Sequence, residues 1–305
     1  MATRHTYADG DKLRDYLAGT SYASGWSADA GAIRLILEAA SQLIDQYTDG
    51  GTFGPITETR TYDIGRGTLL QSPQYGVLDG RDAIATTESL APVIPLDGWL
   101  VSTTTVTAYG ATDRATSEVL TDGYGNDYFL MPYNKTPKTS FKLNQDTAKT
   151  LDSGQQTFTI LGSWGYTADT IQVTTADAIA STTSTSVSVT SAADFGPAQA
   201  ILIDTEQMYI TSISGNTLTV ERGVNGTTAA THSGGAAAHK FDYPPLVVQA
   251  CLDIAKLFFR NRDLGSGGTI GGGDMAITTN SAEMGSVLHT LDDFRATGTT
   301  NAVVF

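Results

Sequence analysis

The chain has 305 residues, 40% of them hydrophobic and 32 of them glycine, which is material for about two packed domains and excludes wholesale disorder. Only 16% are charged, and 32 acidic against 18 basic residues give a net charge of −14, a poor match to a protein that wraps phosphates. One cysteine, Cys251, allows neither an internal disulfide nor a thiolate zinc site, no run of about 18 apolar residues offers a membrane span, and the start MATRHTYADGDKL lacks the apolar core of a signal peptide, so synthesis and retention in a cytosol are expected.

Two helices are predicted first. Asp11–Ala18 places Leu13, Tyr16 and Leu17 on one side and stops at Gly19. From Ala30 to Tyr47, the residues Ile33, Ile36, Leu37, Ala40, Leu43, Ile44 and Tyr47 recur in steps of three and four, a continuous helical stripe. Asp29 is placed to cap its start, and Asp49-Gly50-Gly51 ends it. From Glu58 to Ile160 the texture becomes β: Glu58–Ile64, Trp99–Tyr109, Glu118–Thr121, Asp127–Met131 and Gln156–Leu161 read as strands. Asp79-Gly80 and Asp122-Gly123 mark turns, and a short helix is expected near Asp82–Glu88.

At Asp169 charge thins further, and Ser, Thr, Ala and Gly dominate to His239. Ser186–Val189, Ala200–Ile203, Gln207–Ile213 and Thr217–Glu221 alternate as strands, with Ser214-Gly215-Asn216 as a hairpin turn. Helix returns behind Pro244. From Leu246 to Asp263 the polar residues Gln249, Asp253, Lys256 and Arg260 form one narrow stripe, so most of the circumference needs cover. The N-terminal helices are the nearest cover, which makes 169–241 an inserted β module. GSGGTIGGGD then reads as a flexible linker. Met284, Val287, Leu288, Leu291 and Phe294 make a last helical stripe, and Val303, Val304 and Phe305 end the chain as an apolar tail. An amphipathic helix on a glycine tether needs a second surface, on its own chain or on a partner. Both possibilities stand open.

Reactive chemistry is not marked. His5, His232, His239 and His289 have no zinc-motif spacing, and His232 and His239 read as residues of a Gly/Ala surface loop. No G-x-S-x-G occurs, and the glycine run 265–273 lacks G-K-[ST] and follows a helix. In Asp122-Gly-Tyr-Gly-Asn126-Asp127 the place of a calcium-binding Glu is Tyr133, so a turn is expected. Asn134-Lys-Thr and Asn225-Gly-Thr read as plain turns, and Cys251 as buried and inert. No catalytic, cofactor-binding or metal residue is assigned, and no cofactor is expected. An enzyme such as a wall hydrolase would need converging carboxylates or a metal site, and neither is evident.

The order of segments carries a resemblance. Helix Ile33–Tyr47 runs into Thr57-Glu-Thr-Arg-Thr-Tyr-Asp63. Trp99–Tyr109 follows, then Tyr128–Pro132 with Asn134 and Pro137, then Phe158-Thr-Ile-Leu-Gly-Ser-Trp-Gly-Tyr166. The Pro244–Asp263 helix ends in Phe-Phe-Arg-Asn-Arg-Asp, and Met284–Arg295 closes the series. Over roughly 30–168 and 243–296 the chain resembles the head-to-tail adaptor (connector, head-completion) proteins of tailed bacteriophages. The segment 186–240, with Ile203-Asp-Thr-Glu-Gln-Met-Tyr209, Ser214-Gly-Asn-Thr-Leu218 and Arg222-Gly-Val-Asn-Gly-Thr-Thr228, is similar to a small β module recurring in phage structural proteins. Family members pass almost directly from Trp-Gly-Tyr to the Pro-led helix, whereas here 167–243 intervene.

The resemblance implies an α+β fold: an α-helical bundle core with a β-rich region over 1–168 and 242–264, an inserted small all-β domain over 169–241, and a tether with a docking helix over 265–305. It implies a virion neck protein, made in the host cytoplasm and not an enzyme, that forms a closed ring of about a dozen copies. Its partners would be the portal, a stopper or tail-completion protein, and DNA passing without specific binding, with no membrane. Met284, Val287, Leu288, Leu291, Phe294, Val303, Val304 and Phe305 would face the portal. Ile33, Ile36, Leu37, Leu43, Ile44, Val247, Ile254 and Phe258 would form the core and ring helices. The acidity fits a lumen that repels phosphate and lets the duplex slide. The alternative is a virion surface or tail protein that holds a host glycan or protein through the β module.

Overall fold

The structure, a computed structural model, describes residues 4–18, 30–64, 93–110, 116–144, 151, 154–263 and 283–295. The chain divides into two compact units, one of Met1–Ile56 with Gly165–Phe305 and one of Thr57–Trp164. The expected Asp82–Glu88 helix, Asp79-Gly80 turn, glycine linker and 303–305 tail lie outside the described residues.

The second unit is one six-stranded sheet of β1 (Ile56–Ile64), β2 (Val93–Tyr109), β3 (Ser117–Leu120), β4 (Tyr128–Met131), β5 (Lys138–Leu143) and β6 (Gly154–Trp164). Its order is β1-β6-β2-β5-β4, with β3 beside β2. Alternation puts Tyr62, Phe158, Phe141 and Tyr128 on one face, where they form a row of rings. The centroids lie 4.9 Å apart for Tyr62–Phe158, 5.0 Å for Phe158–Phe141 and 4.8 Å for Phe141–Tyr128. Trp164 extends the row. Its indole N–H donates to the Glu58 carbonyl at 3.1 Å, and the Arg60 guanidinium lies 4.1 Å from its ring. Thr57, Thr59 and Thr61 alternate to the other face and are exposed.

The first unit joins helices to a barrel. Its strands are β7 (Thr170–Ala176), β8 (Ser186–Ser188), β9 (Gln199–Ile203), β10 (Glu206–Ser214), β11 (Thr217–Glu221) and β12 (Ala236–Phe241), in the order β7-β12-β9-β10-β11-β8. The end strands meet. An antiparallel bridge joins Ala176 to Val189, flanked by Asp177 N–H to Ser188 O and Thr190 N–H to Thr175 O, both 2.9 Å. The sheet therefore closes and has no free edge to manage. Ile201, Ile203, Met208, Ile210, Leu218, Val220, Val187 and Ala238 fill the inside.

Strand β10 is buried on both faces, which explains its unbroken run Glu206–Ile210. Met208 and Ile210 point inward, while Gln207 and Tyr209 meet the N-terminal part of the chain. Gln207 donates to the Pro55 carbonyl at 2.8 Å, and the Tyr209 hydroxyl donates to Glu38 at 2.9 Å. The segment before α1 (Gly10–Leu17) is stapled to the barrel. Arg4 N–H donates to Asn225 at 2.7 Å, Thr6 donates its hydroxyl to the Ala198 carbonyl, and Gly10 N–H donates to Pro197 O at 2.8 Å. Asp9 caps α1 by accepting the Lys12 amide at 2.8 Å, and Gly196 lets this happen: a Cβ there would lie 2.6 Å from the Asp9 carboxylate.

The two long helical stripes do form helices, α2 (Ala30–Thr48) and α3 (Pro245–Asp263), but the expected α-helical bundle core is wrong. The fold is mostly β, built on two six-stranded antiparallel sheets, with strand residues outnumbering helical ones. The reason is physical. The stripes of α2 and α3 face each other, with Leu37, Ile44, Val247 and Ile254 at 0% exposure, α1 packs against both helices, and Tyr209 of the barrel reaches Glu38 of α2. The Ser- and Thr-rich strands carry weaker alternation, so a sequence reading underweights them.

Candidate functional site

The first candidate lies at one end of the barrel. Glu206 has the inward parity of Met208 and Ile210, yet it carries a carboxylate with 0% exposure. A buried charge must be paired and hydrogen-bonded. Arg222, just past the end of β11, clamps it bidentately, with Nε and Nη2 each 2.7 Å from its two oxygens. The amides of Gly223 and Ala230 donate to it at 3.0 and 2.9 Å, and His232 Nε2 lies 2.8 Å from Oε2. His232 Nδ1 in turn lies 2.7 Å from Asp204, in the β9–β10 turn. The remaining Arg222 donors reach the carbonyls of Ser181 at 3.2 Å, Ser184 at 2.9 Å and Ala230 at 2.6 Å. Burial pushes the Glu206 carboxyl up, but the Arg222 guanidinium, the Ala230 amide and His232 outweigh it and hold it at about 2.

This cluster fastens three loops at the barrel mouth. Both oxygens of Glu206 are fully engaged, so it has no lone pair left for a substrate, and the arrangement is a structural clasp. His232 corrects the sequence reading. Expected in a surface loop, it is 5% exposed inside the clasp, and His239 lies on strand β12. The signal that could have found the clasp is Glu206 itself, a charge at an inward position of an alternating strand, which demands partners.

A second polar group sits among the helices. His5 is buried. Its ring is best assigned as neutral, donating Nε2–H to the Pro55 carbonyl at 3.0 Å and accepting the Tyr243 hydroxyl at Nδ1 at 2.9 Å. Burial lowers it to about 4, against the pull of the Pro55 bond. Gly54 makes room for the ring, since a Cβ there would approach it to 2.3 Å. The Tyr7 hydroxyl donates to Asp45 and accepts the Phe53 amide at 3.0 Å. Burial pushes the Asp45 carboxyl up to about 8, although the Tyr7 bond pulls it down. Cys251, 3.6 Å from the Ser41 hydroxyl, is pushed up to about 11 by burial. A thiol in that state is inert.

The third candidate is the C-terminal helix α4, at 283–289, continued by a 3-10 turn, Asp292–Phe294. It is seated on its own unit. Leu288 and Leu291 are 2% and 0% exposed, while Met284, Val287 and Phe294 are half-buried. The Phe294 ring stands edge-on to Phe53 at 5.4 Å and to Tyr166 at 5.2 Å. Around this apolar centre the polar contacts are exposed. Arg260 meets Glu283 at 2.6 Å, the Tyr47 hydroxyl donates to Asp292, and His289 lies 3.3 Å from that hydroxyl.

Of the residues expected to face a partner, the structure thus gathers Met284, Val287, Leu288, Leu291 and Phe294 on one seat, and Val303, Val304 and Phe305 lie outside the described residues. Of those expected in core helices, Ile36, Leu37, Ile44, Val247 and Ile254 are buried, and Ile33, Leu43 and Phe258 are half-buried. The polar stripe of α3 is not bare. Asp253 accepts the Tyr16 hydroxyl at 2.5 Å, and Lys256 lies 5.8 Å from that ring. Asp122–Asp127 forms a turn closed by Asn126 N–H to Gly123 O at 3.0 Å. Asn225, at a φ of 56°, forms another of the expected turns, but its side chain is buried against Arg4 and Gln207.

Among the described residues no helix is long and apolar enough to cross a membrane, and no group of three or more His, Cys, Asp or Glu is arranged to hold a metal ion. Compared with protein-family models, curated proteins and solved structures, the chain matches none.

Proposed function

We propose that this protein is a structural assembly component of the head-to-tail adaptor kind, forming a ring between the portal and the stopper or tail of a tailed phage and lining part of the DNA channel. The observation that carries this reading is α4. It is an amphipathic helix set beyond residues 264–282, six of them glycine, and held by a small apolar centre inside a rim of exposed polar contacts. Such a helix can serve as a coupling element: on leaving its seat it would offer Leu288, Leu291 and Phe294 to another surface. The order of segments that resembles the adaptor proteins supports the same reading, and the charge of −14 suits a channel through which DNA must slide.

The test is attachment to DNA-filled heads carrying a portal. The full chain should bind them, and a chain ending at Leu264 should keep a protected barrel yet fail to bind. Equal binding by both would remove α4 from this role.

A further inference from the structure

We propose that the seat of α4 is an exchange site between copies of this chain, in which the helix of one copy occupies the identical groove of the next. This deepens the assembly reading and rests on it only for where the exchange takes place. Each chain carries both halves of a complementary pair. One half is the helix with Leu288, Leu291 and Phe294. The other is a groove that includes Tyr47 of α2, Phe53, Tyr166 and Arg260 of α3. Two different surfaces that fit each other make a heterologous contact, and repeating it builds a closed ring or a filament.

The sequence between the halves permits the move. Residues 264–282, if fully extended, would span at most about 65 Å, which sets how far apart the grooves of two copies can lie for the trade to occur. What the helix gives up in one groove it regains in the other, so exchange is nearly neutral in interaction energy. What decides is local concentration. A helix on the same chain meets its own groove at a higher effective concentration than that of a dilute neighbour, so the free chain keeps it in place, and crowding of copies in an assembly favours trading. The seat is also small. Two side chains of the helix segment, Leu288 and Leu291, are buried in it, and the ion pair and hydroxyl contacts around them are exposed.

The experiment uses full-length chains carrying Cys251→Ala. One chain bears Tyr47→Cys, and a second, distinguished by mass, bears His289→Cys; these two rings lie 6.5 Å apart in the seat. A second pair, Arg260→Cys with Glu283→Cys, probes the other end of the helix. A short bis-maleimide should join the two different chains, increasingly so at higher protein concentration. Adding Leu288→Asp and Leu291→Asp to the helix donor should lower the yield at least about tenfold. A chain bearing both cysteines should link within itself when dilute.

Internal linking without any product between chains, up to the highest soluble concentration, overturns the proposal. So does an inter-chain product indifferent to the aspartates, which reports collision alone. No linking of either kind would mean that α4 does not sit here, and the proposal falls with the seat. Failure of exchange leaves binding to filled heads untouched, whereas exchange without head binding retires the adaptor reading alone.

Discussion

Replacing Glu206 by Gln should cost the protein about 3–5 kcal/mol at neutral pH. Side-chain volume is conserved, so packing is not the cause. Arg222, 6% exposed, loses its counter-charge, and one oxygen that accepts at least two donors becomes an amide nitrogen that can accept none. The carboxyl itself gives a second route to the magnitude. Its fall from 4.5 to about 2 on folding corresponds to roughly 3 kcal/mol. Because the folded value lies below the unfolded one, this contribution is complete above pH 4.5 and is lost as the pH falls through 2. The gap between wild type and variant should therefore be widest near pH 7 and shrink steadily below pH 4.5. Hydrogen exchange of barrel peptides across a urea series reads the gap in the right unit, since the two units need not unfold together. At neutral pH a loss of about 3 kcal/mol accelerates exchange by about two orders of magnitude. A gap under about 1 kcal/mol, or one equally wide at pH 3 and pH 7, would refute the assignment of Glu206 as the keystone of the clasp.

Asp45 should behave in the opposite sense. Burial raises it from 3.8 to about 8, so the folded state favours its neutral form, and stability should decline as the pH rises between those values. Asp45→Asn should flatten that decline, gaining on the order of 2–4 kcal/mol relative to wild type between pH 4 and pH 8 in urea midpoints. Gly196→Ala drives a methyl into the Asp9 carboxylate and should remove the α1 cap, at a cost of about 1–2 kcal/mol, visible as faster exchange over 10–17. Leu291→Asp should release α4, abolishing exchange protection over 283–295 while leaving the barrel peptides unchanged.

What the sequence discloses follows how strongly each element repeats. The stripes of α2 and α3 are plain because apolar residues recur at helical spacing over 19 residues in each. Strands β10 and β11 are legible from the Ser214–Asn216 turn between them, and they do pair across it. Strands β7 and β12 carry no such signal: Ala236–Phe241 has the composition of a loop, and it becomes a strand because β9 and β7 flank it on both sides. Barrel closure is equally hidden, since a bridge from Ala176 to Val189 leaves no local pattern. His232 looks like a lone loop histidine because its partners, Asp204 and Glu206, lie 28 and 26 residues away. Sequence leaves the destination of the last helical stripe open between its own chain and a partner. The seat beneath Leu288 and Leu291 is the resting place in the single chain.

The most direct measurement of the central claim is the position of this chain in the particle that carries it. Electron cryo-microscopy of tailed particles, with an antibody fragment against 169–241 as a marker, should find closed rings at the junction of head and tail. The marker at fibre tips, or on no particle at all, would contradict the account.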